Sequence, residues 1–244
     1  MRVVSLVPSL TEAVAALGAP DDLVGVTRYC THGAPAGATR VGGTKNPDVA
    51  AVRALAPDLI LGNTEENRPV DLQALRDAGL AVWETFPRTV ADVGPLLVEL
   101  AERLGRPGAD AGIVETLEAA LADAADRRPR TPVLALTLIW RKPWMALGPD
   151  TFADDLLARC GFVNALVGAD ERYPRLDPAL RLRPEVVLLP SEPYAFGETD
   201  LPAVADLVPG APTRLVDGRL LTWHGPSTSD ALREFADLAA ALAS

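Results

Sequence analysis

A long amphipathic helix is predicted near the middle of the chain, with segments of similar rhythm on either side of it. Apolar residues recur at spacings of three and four between Gly108 and Arg128, the pattern of one buried helix face. Pro107 precedes this stretch and Pro129 follows it. A helix from Gly108 to Asp126 would span about 28 Å, roughly the width of a small domain. The pattern fits a strut between two lobes, and it also fits a crossover helix packed on the sheet of one domain.

Short apolar runs alternate with helical patterns on both sides of this helix. The runs predicted to be strands include residues 2–7, 23–27, 58–62, 80–86, 132–139 and 185–189. Such alternation is typical of parallel α/β sheets. We therefore predict two Rossmann-like α/β lobes with mostly parallel sheets, joined by one long rigid helix. The expected bounds are 1–106 for the N-terminal lobe, 107–128 for the helix and 129–244 for the C-terminal lobe.

Four local predictions concern single elements. Ser9 and Glu12 have the spacing of a capping box for a helix over residues 11–17. Pro47 is expected at the first position of a helix. The last two predictions are a pair of short strands, 214–216 and 219–222, around Asp217-Gly218, and a helical turn at Pro178–Leu182.

Charge and hydrophobicity exclude some kinds of partner. The 33 acidic residues exceed the 23 basic residues and give a net charge of -10, which disfavours nucleic acid and anionic membranes. No run of about 18 apolar residues predicts a membrane-spanning helix, so membrane insertion is not expected. The apolar stretch before Pro8 is too short for a secretory leader. As written, the sequence predicts a cytoplasmic protein, or a periplasmic or extracellular lipoprotein whose leader has been removed.

The two cysteines lie far apart in the sequence. Cys30 and Cys160 show no CxxC spacing, and we expect free thiols because disulfide frameworks belong to small, cysteine-rich secreted chains. Cys30 and His32 would supply two ligands to zinc, copper or iron. Two ligands do not make a metal site, and the alternative is an ordinary polar loop.

Aromatic and polar residues are concentrated in the loops at predicted strand ends, where ligands of α/β proteins collect. All four tryptophans and all three tyrosines lie in or beside such loops, except Trp83. Aromatic walls with a few polar groups hold flat, bulky ligands. The candidate ligand-binding residues are Pro8, Ser9, Tyr29, Lys45, Asn46, Glu65, Glu66, Asn67 and Phe86 in the first half, and Trp140, Arg141, Trp144, Tyr173, Tyr194, Trp223 and His224 in the second.

The loop around Trp140 is the principal expected contact. Trp140 and Trp144 would stack on a flat ligand while Arg141 contacts an anionic chelate. His224 is expected to face the ligand cleft, as a hydrogen-bonding group or as a metal ligand.

The charged loop residues of the first half allow two interpretations each. Lys45 either binds a carboxylate or phosphate of the ligand or is a surface lysine. Glu65 and Glu66 resemble a pair of carboxylates for acid–base chemistry, and the alternative is a solvated loop or a helix cap. No Gly-rich phosphate loop, GxSxG or HExxH motif is present, so the sequence gives catalysis little support.

Four segments of the chain resemble those of a known family. Residues 2–12 (RVVSLVPSLTE), 22–27 (DLVGVT), 41–47 (VGGTKNP) and 56–60 (APDLI) are similar to the helical-backbone metal-receptor group of class III periplasmic-binding-protein-like proteins. This group includes the vitamin B12-binding and ferric-siderophore-binding components of bacterial ABC importers. The resemblance implies two lobes joined by a rigid helix, with the ligand clamped in the cleft and little hinge motion.

Two further features of the resemblance concern the ligand and the permease partner. Residues 43–46 and 62–67 are similar to a subset that lacks an export signal and is described as cobalamin-binding. Importer-linked relatives present one acidic residue on each lobe to the permease. Glu65 or Glu66, together with Glu198, lies in a plausible region for this role without matching it cleanly.

We therefore expect a non-catalytic, monomeric substrate-binding protein that requires no cofactor. Its expected ligand is a bulky cobalt- or iron-containing chelate, foremost cobalamin or another corrinoid, and its expected partner is an ABC permease unless it acts as a cytosolic carrier. A ferric-siderophore or haem binding protein is the first alternative. Two further alternatives belong to other functional classes. One is a scaffold. The other is an enzyme or sensor whose site in the cleft contains Cys30, His32, Lys45, Glu65 and Glu66.

Overall fold

A computed structural model describes residues 1–177 and 182–244, which form two compact α/β units. The predicted helical turn at Pro178–Leu182 lies, apart from its last residue, outside the described residues. Unit 1 comprises Met1–Pro87, Ala91–Glu115 and His224–Pro226, and unit 2 comprises Arg88–Val90, Thr116–Trp223 and Ser227–Ser244.

Unit 1 is built on a parallel sheet. Its strands are β1 Val3–Ser5, β2 Leu23–Val26, β3 Thr39–Arg40, β4 Gly42–Gly43, β5 Asn46–Pro47, β6 Leu59–Asn63 and β7 Val82–Thr85. The sheet order is β3-β2-β1-β6-β7, with every neighbouring pair parallel, while β4 and β5 form a separate antiparallel hairpin. Its α-helices are α1 Pro8–Ala16, α2 Val49–Ala54, α3 Pro69–Asp77 and α4 Val93–Arg103, with 3-10 turns at Pro20–Asp22 and Val90–Asp92.

The core of unit 1 lies between this sheet and its helices. Every residue of β6 is buried, as expected of a central parallel strand covered on both faces. One apolar cluster joins β1 and β6 to α2 and α3 and contains Val4, Leu6, Val41, Val52, Ile60, Leu72 and Leu75.

The helix predicted as a strut is α5, Ala111–Asp126. Its 16 residues span about 24 Å, and its buried residues Leu117, Ala120 and Ala124 share one face. It begins later than predicted because Gly108 adopts a left-handed conformation with φ of 85°. The chain passes from unit 1 to unit 2 within this helix, between Glu115 and Thr116.

Unit 2 has a second parallel sheet. Its strands are β8 Val133–Trp140, β9 Met145–Ala146, β10 Phe162–Asn164, β11 Val186–Pro190 and β12 Thr213–Val216. The parallel order is β10-β8-β11-β12, and β9 pairs antiparallel with β8. Its other α-helices are α6 Phe152–Cys160, α7 Leu201–Leu207, α8 Gly218–Thr222 and α9 Thr228–Ala243, with a 3-10 turn at Glu198–Asp200. The predicted fold class, two α/β lobes with mostly parallel sheets, is confirmed.

Two predicted helix starts are wrong. Helix α1 begins at Pro8 and has no side-chain cap, so Ser9 and Glu12 do not form a capping box. The fixed φ of proline already suits the first helical position. Pro47 lies in β5 instead of opening a helix, and α2 is capped by Asp48, whose Oδ1 accepts a hydrogen bond of 3.0 Å from Ala51 N.

The strand pair predicted around Asp217-Gly218 is also wrong. Residues 213–216 form β12, but its partner is β11, with Leu215 opposite Leu189. Residues 218–222 are helix α8, because the Asp217 carboxylate accepts hydrogen bonds from the first backbone N–H groups of the helix, at 2.8 Å from Arg219 N.

Two short segments belong to the unit formed mainly by the other half of the chain. Arg88–Val90 belong to unit 2, where Arg88 pairs with Asp150 and the Val90 N–H donates to Asp155 Oδ2 at 2.7 Å. His224–Pro226 belong to unit 1, although the residues on both sides of them belong to unit 2. In the described parts of the chain, no helix has the length and apolar character needed to cross a bilayer.

Candidate functional site

The first candidates, Pro8 and Ser9, lie buried in the first turn of α1. Ser9 Oγ lies 3.3 Å from His224 Nε2 within unit 1. His224 is only 7% exposed, and its burial lowers its pKa to about 4, so the folded protein holds it as a neutral imidazole at pH 7. The structure therefore assigns His224 to the interior of unit 1. Among residues 1–177 and 182–244, no group of three or more His, Cys, Asp or Glu side chains is placed to hold a metal ion.

Asn67, which is predicted as a ligand contact, has a structural role in unit 1. It is 2% exposed, and its Oδ1 accepts a hydrogen bond of 2.8 Å from Asn63 N. Its Nδ2 donates to the carbonyl groups of Leu6 at 3.3 Å and Thr44 at 2.9 Å. One buried carboxamide thus joins the end of β1, the β4–β5 hairpin and the loop after β6.

The same loop contains a residue that sequence analysis missed. Asn63 Oδ1 accepts hydrogen bonds from Glu65 N at 2.8 Å and Glu66 N at 3.2 Å. These bonds fix the backbone of both predicted glutamates. An asparagine at the last position of a buried strand is the only sequence signal that points to this role.

Lys45 and the two glutamates form one group beside this loop. The Lys45 ammonium donates to the backbone carbonyl of Glu65. Glu66 is half-buried, and desolvation raises the pKa of its carboxyl, with Glu65 adding to the rise and Lys45 opposing it. The group therefore combines a fixed cation with a carboxyl that binds a proton more readily than usual.

Cys30 lies beneath the surface of its loop. Its Sγ accepts a hydrogen bond of 3.1 Å from Thr11 Oγ1 and lies 3.2 Å from Thr27 Oγ1, while burial raises the pKa of the thiol. His32 is exposed, and its Nδ1 lies 3.0 Å from Thr31 Oγ1. The structure therefore gives no support to a thiolate–imidazole metal site at Cys30 and His32. Cys160 is also a buried free thiol, whose pKa burial raises to about 12.

Two predicted aromatic residues of unit 1 are exposed. Tyr29, in the loop after β2, is 51% exposed, and Phe86, after β7, is 42% exposed. Lys45 and Asn46 are exposed in the β4–β5 hairpin. These residues follow, or lie between, strands of the parallel sheet and are available for contact with a ligand.

Unit 2 presents a ladder of aromatic rings at the ends of β8 and β11. Trp140, the last residue of β8, is 42% exposed, and its ring meets that of Tyr194 edge to face with centroids 5.5 Å apart. Tyr194 packs on Phe196 at 4.6 Å, and Phe196 stacks on Trp144 at 6.3 Å with the planes 5° apart. Phe196 is buried and had not been predicted as a site residue. The ladder runs from the exposed Trp140 to the apolar core.

The cation predicted to contact an anionic chelate in this unit already has a partner. Arg141 pairs with the buried carboxylate of Asp200, and its guanidinium lies over the Trp144 ring, 5.6 Å from the centroid. Tyr173 is half-buried beside Arg172, whose guanidinium lies 5.8 Å from the ring centroid.

Trp223, which is predicted as a ligand contact, is buried in the core. It is 7% exposed, and the Arg219 guanidinium lies 5.9 Å from its ring centroid. Among the predicted aromatic contacts, the exposed ones are therefore Tyr29, Phe86 and Trp140.

Two α/β units with parallel sheets and aromatic side chains at strand ends define a class of two-unit ligand-binding proteins. The profile of the periplasmic binding protein family matches residues 3–179, more than half of the 244 residues. The chain belongs to this family, as the resemblance in the sequence implied.

Individual relatives and solved structures show which members of the family this chain is similar to. The vitamin B12-binding protein of Vibrio cholerae serotype O1 is 24% identical over 200 residues, which cover 80% of this chain and 72% of that protein. The periplasmic haem-binding protein RhuT from Roseiflexus sp. RS-1 superimposes with a TM-score of 0.87 at 26% identity, covering 100% of this chain and 99% of that one. The structure of the periplasmic vitamin B12 binding protein BtuF of Vibrio cholerae gives a TM-score of 0.85 at 22% identity, covering 99% and 97%.

Proposed function

We propose that this protein is a non-catalytic binding protein for a bulky metal chelate, with a corrinoid such as cobalamin as the first candidate. The observation that carries the proposal is the exposed indole of Trp140 at the carboxyl end of β8. The relatives support it, because those named above bind vitamin B12 or haem.

Trp140 is suited to stacking on a flat macrocycle. Its ring is held edge-on by Tyr194, which in turn packs on the buried Phe196. An indole positioned in this way loses little conformational entropy when a ligand covers its face. Large rigid aromatic rings supply contact area at low entropic cost, which is why binding surfaces use them.

The polar surroundings of Trp140 also favour apolar contact with the ligand. The charge of the neighbouring Arg141 is compensated by Asp200. Trp140 therefore offers an aromatic surface beside a guanidinium that is already paired, and this surface suits the ring system of a corrin or a porphyrin.

Haem is the second candidate. The RhuT structure, which has the higher identity of the two solved structures named above, is that of a haem-binding protein. A ferric siderophore is a further candidate of the same function class. An ABC permease is the partner we propose, with delivery of the chelate as the role of the complex.

Titration of the protein with aquocobalamin, haemin and a ferric siderophore, each followed by quenching of tryptophan fluorescence, tests the proposal. At least one chelate is expected to bind at micromolar concentration. Trp140→Ala should weaken that binding about tenfold, the effect of removing a central aromatic contact. Trp140→Phe, which keeps an aromatic face, should retain most of the affinity.

Two results would contradict the proposal. One is the failure of all three chelates to bind to wild-type protein. The other is undiminished binding by Trp140→Ala when its thermal unfolding matches that of wild type, because the exposed indole would then have no part in the site.

A further inference from the structure

Two loops of unit 1 meet at the backbone of Gly43. A Cβ atom placed on Gly43 would lie 2.5 Å from Asn46 Oδ1, 3.1 Å from Arg28 Nη2 and 3.3 Å from Tyr29 Cε2. All three side chains therefore pack on this glycine, and a side chain there would displace them. We call Arg28, Tyr29 and Asn46 the Gly43 cluster.

Arg28 and Tyr29 form a cationic aromatic pair within this cluster. The Arg28 guanidinium lies over the Tyr29 ring, 5.0 Å from its centroid, and its Nη2 donates to the phenol oxygen at 3.3 Å. Both residues are exposed, Tyr29 by 51%. Within residues 1–177 and 182–244, Arg28 forms no ion pair with a carboxylate. Its charge is thus available in a protein whose net charge is -10.

The loop that carries this pair is fixed on both sides. Thr27 and Cys30, which flank it, are fully buried, and the Cys30 thiol contacts the hydroxyl groups of Thr11 and Thr27. The Arg40 guanidinium donates to the backbone carbonyl groups of Thr27 at 3.0 Å and Cys30 at 3.1 Å. Two exposed side chains held on a fixed backbone are the arrangement that recognition of a ligand requires.

The hairpin that carries Asn46 is fixed in the same way and adds a second cation. Asn67 Nδ2 binds the carbonyl group of Thr44, and the Lys45 ammonium binds that of Glu65. Lys45 and Asn46 are both exposed at the hairpin. The cluster and its neighbour thus offer a guanidinium, a phenol, a carboxamide and an ammonium group. Such a set of donors matches the acceptor oxygens of a carboxylate or a phosphate.

We propose that the Gly43 cluster binds an anionic substituent of the ligand, a carboxylate or a phosphate, and that Arg28 is the residue that selects for it. This inference rests on the proposed function and adds a chemical requirement to it. The chelate carries an acidic group at its periphery, and this group contacts the Gly43 cluster.

Pairs of ligands that differ in the acidic group test the inference. Haemin has two propionate groups that its dimethyl ester lacks, and cyanocobalamin has a phosphate that dicyanocobinamide lacks. Arg28→Gln removes the charge and keeps a polar, hydrogen-bonding side chain, although a shorter one. It should weaken binding of the acidic member of the recognised pair about tenfold or more, the usual effect of losing a charged hydrogen bond. It should leave binding of the neutral member unchanged.

Arg53→Gln is the matched control, since Arg53 is an exposed arginine of unit 1 in the last turn of α2. Helices that follow parallel strands end at the opposite edge of the sheet from the strand-end loops, so this change should leave all affinities unaltered. Thermal unfolding of both variants should match that of wild type, because both side chains are exposed.

Gly43→Ala is a second variant that leaves Arg28 in place. The backbone of Gly43 is not left-handed, so alanine acts only by pushing the three side chains apart, and it should weaken binding of the acidic ligand. Gly37→Ala, at a position with nothing within 4 Å of the added atom, should not.

The outcomes separate the inference from the proposed function. If wild-type protein binds none of the four chelates and no ferric siderophore, the proposed function fails and the inference fails with it. If it binds the siderophore alone, the inference alone is overturned. Two other results would overturn the inference alone, provided that wild-type protein binds a chelate. In one, Arg28→Gln weakens binding of the acidic and the neutral ligand equally. In the other, it weakens binding of neither ligand. A loss confined to haemin assigns the cluster to carboxylates, and a loss confined to cyanocobalamin assigns it to the nucleotide loop that carries the phosphate.

Discussion

Asn67→Ala is expected to destabilise the protein by about 3 kcal/mol, because three buried backbone groups lose their partner at about 1 kcal/mol each. These groups are the N–H of Asn63 and the carbonyl groups of Leu6 and Thr44. For a chain of this length the loss corresponds to a fall in Tm of roughly 9 °C. Thermal and urea unfolding followed by circular dichroism measures both quantities.

Asn46→Ala is the control for this change, since Asn46 is an exposed asparagine of the same unit whose loss should alter stability by less than about 0.5 kcal/mol. Asn67→Asp should be at least as damaging as alanine, because it places a carboxylate oxygen against two carbonyl oxygens. A stable Asn67→Ala variant that fails only in ligand binding would refute the structural role and restore this side chain as a ligand contact.

Acid is expected to destabilise the protein through His224. Burial lowers the pKa of this imidazole to about 4 in the folded state, against 6.5 for the ordinary group. Between these values the unfolded chain binds a proton that the folded chain does not, so stability falls as the pH is lowered through this window. The contribution of His224 should fall by about 2.5 kcal/mol between about pH 7.5 and about pH 4.5.

The difference between wild type and His224→Gln isolates this effect. Burial raises the pKa of the Glu66 and Asp154 carboxyl groups, which act in the opposite direction and remain in both proteins. Urea unfolding at several pH values should show a smaller acid-induced loss for His224→Gln than for wild type. His32→Gln, a change at the exposed histidine, should follow wild type. Parallel pH profiles for wild type and His224→Gln would rule out a buried neutral imidazole.

The fold class was accessible from the sequence because it depends on local patterns. Buried runs such as residues 58–62 and the apolar face of α5 are visible in the order of residues alone. The wrong predictions of local structure concern residue types that occur in more than one structural role. Ser9 and Glu12 have capping-box spacing, yet Pro8 opens the helix and Ser9 contacts His224. Asp217 looked like part of a turn and is a helix cap.

The candidate site was less accessible, because exposure depends on contacts between distant residues. Asn67 and Trp223 occur in strand-end loops just as Asn46 and Trp140 do, but the first two are buried and the last two are exposed. No local pattern separates a carboxamide that joins three backbone segments from one that faces solvent. Arg28 escaped notice for the same reason, since only the close approach of its loop to Gly43 brings it into a cluster.

The placement of His224–Pro226 in unit 1 has a consequence for biosynthesis. Ser9 and the imidazole beside it are separated by 215 residues of sequence, so the ribosome adds His224 long after Ser9. The N-terminal unit therefore remains incomplete on the ribosome while nearly all of the other unit is being made. The unit whose synthesis begins first is completed only after most of the other unit has been made, and a chain that ends before His224 lacks part of both units.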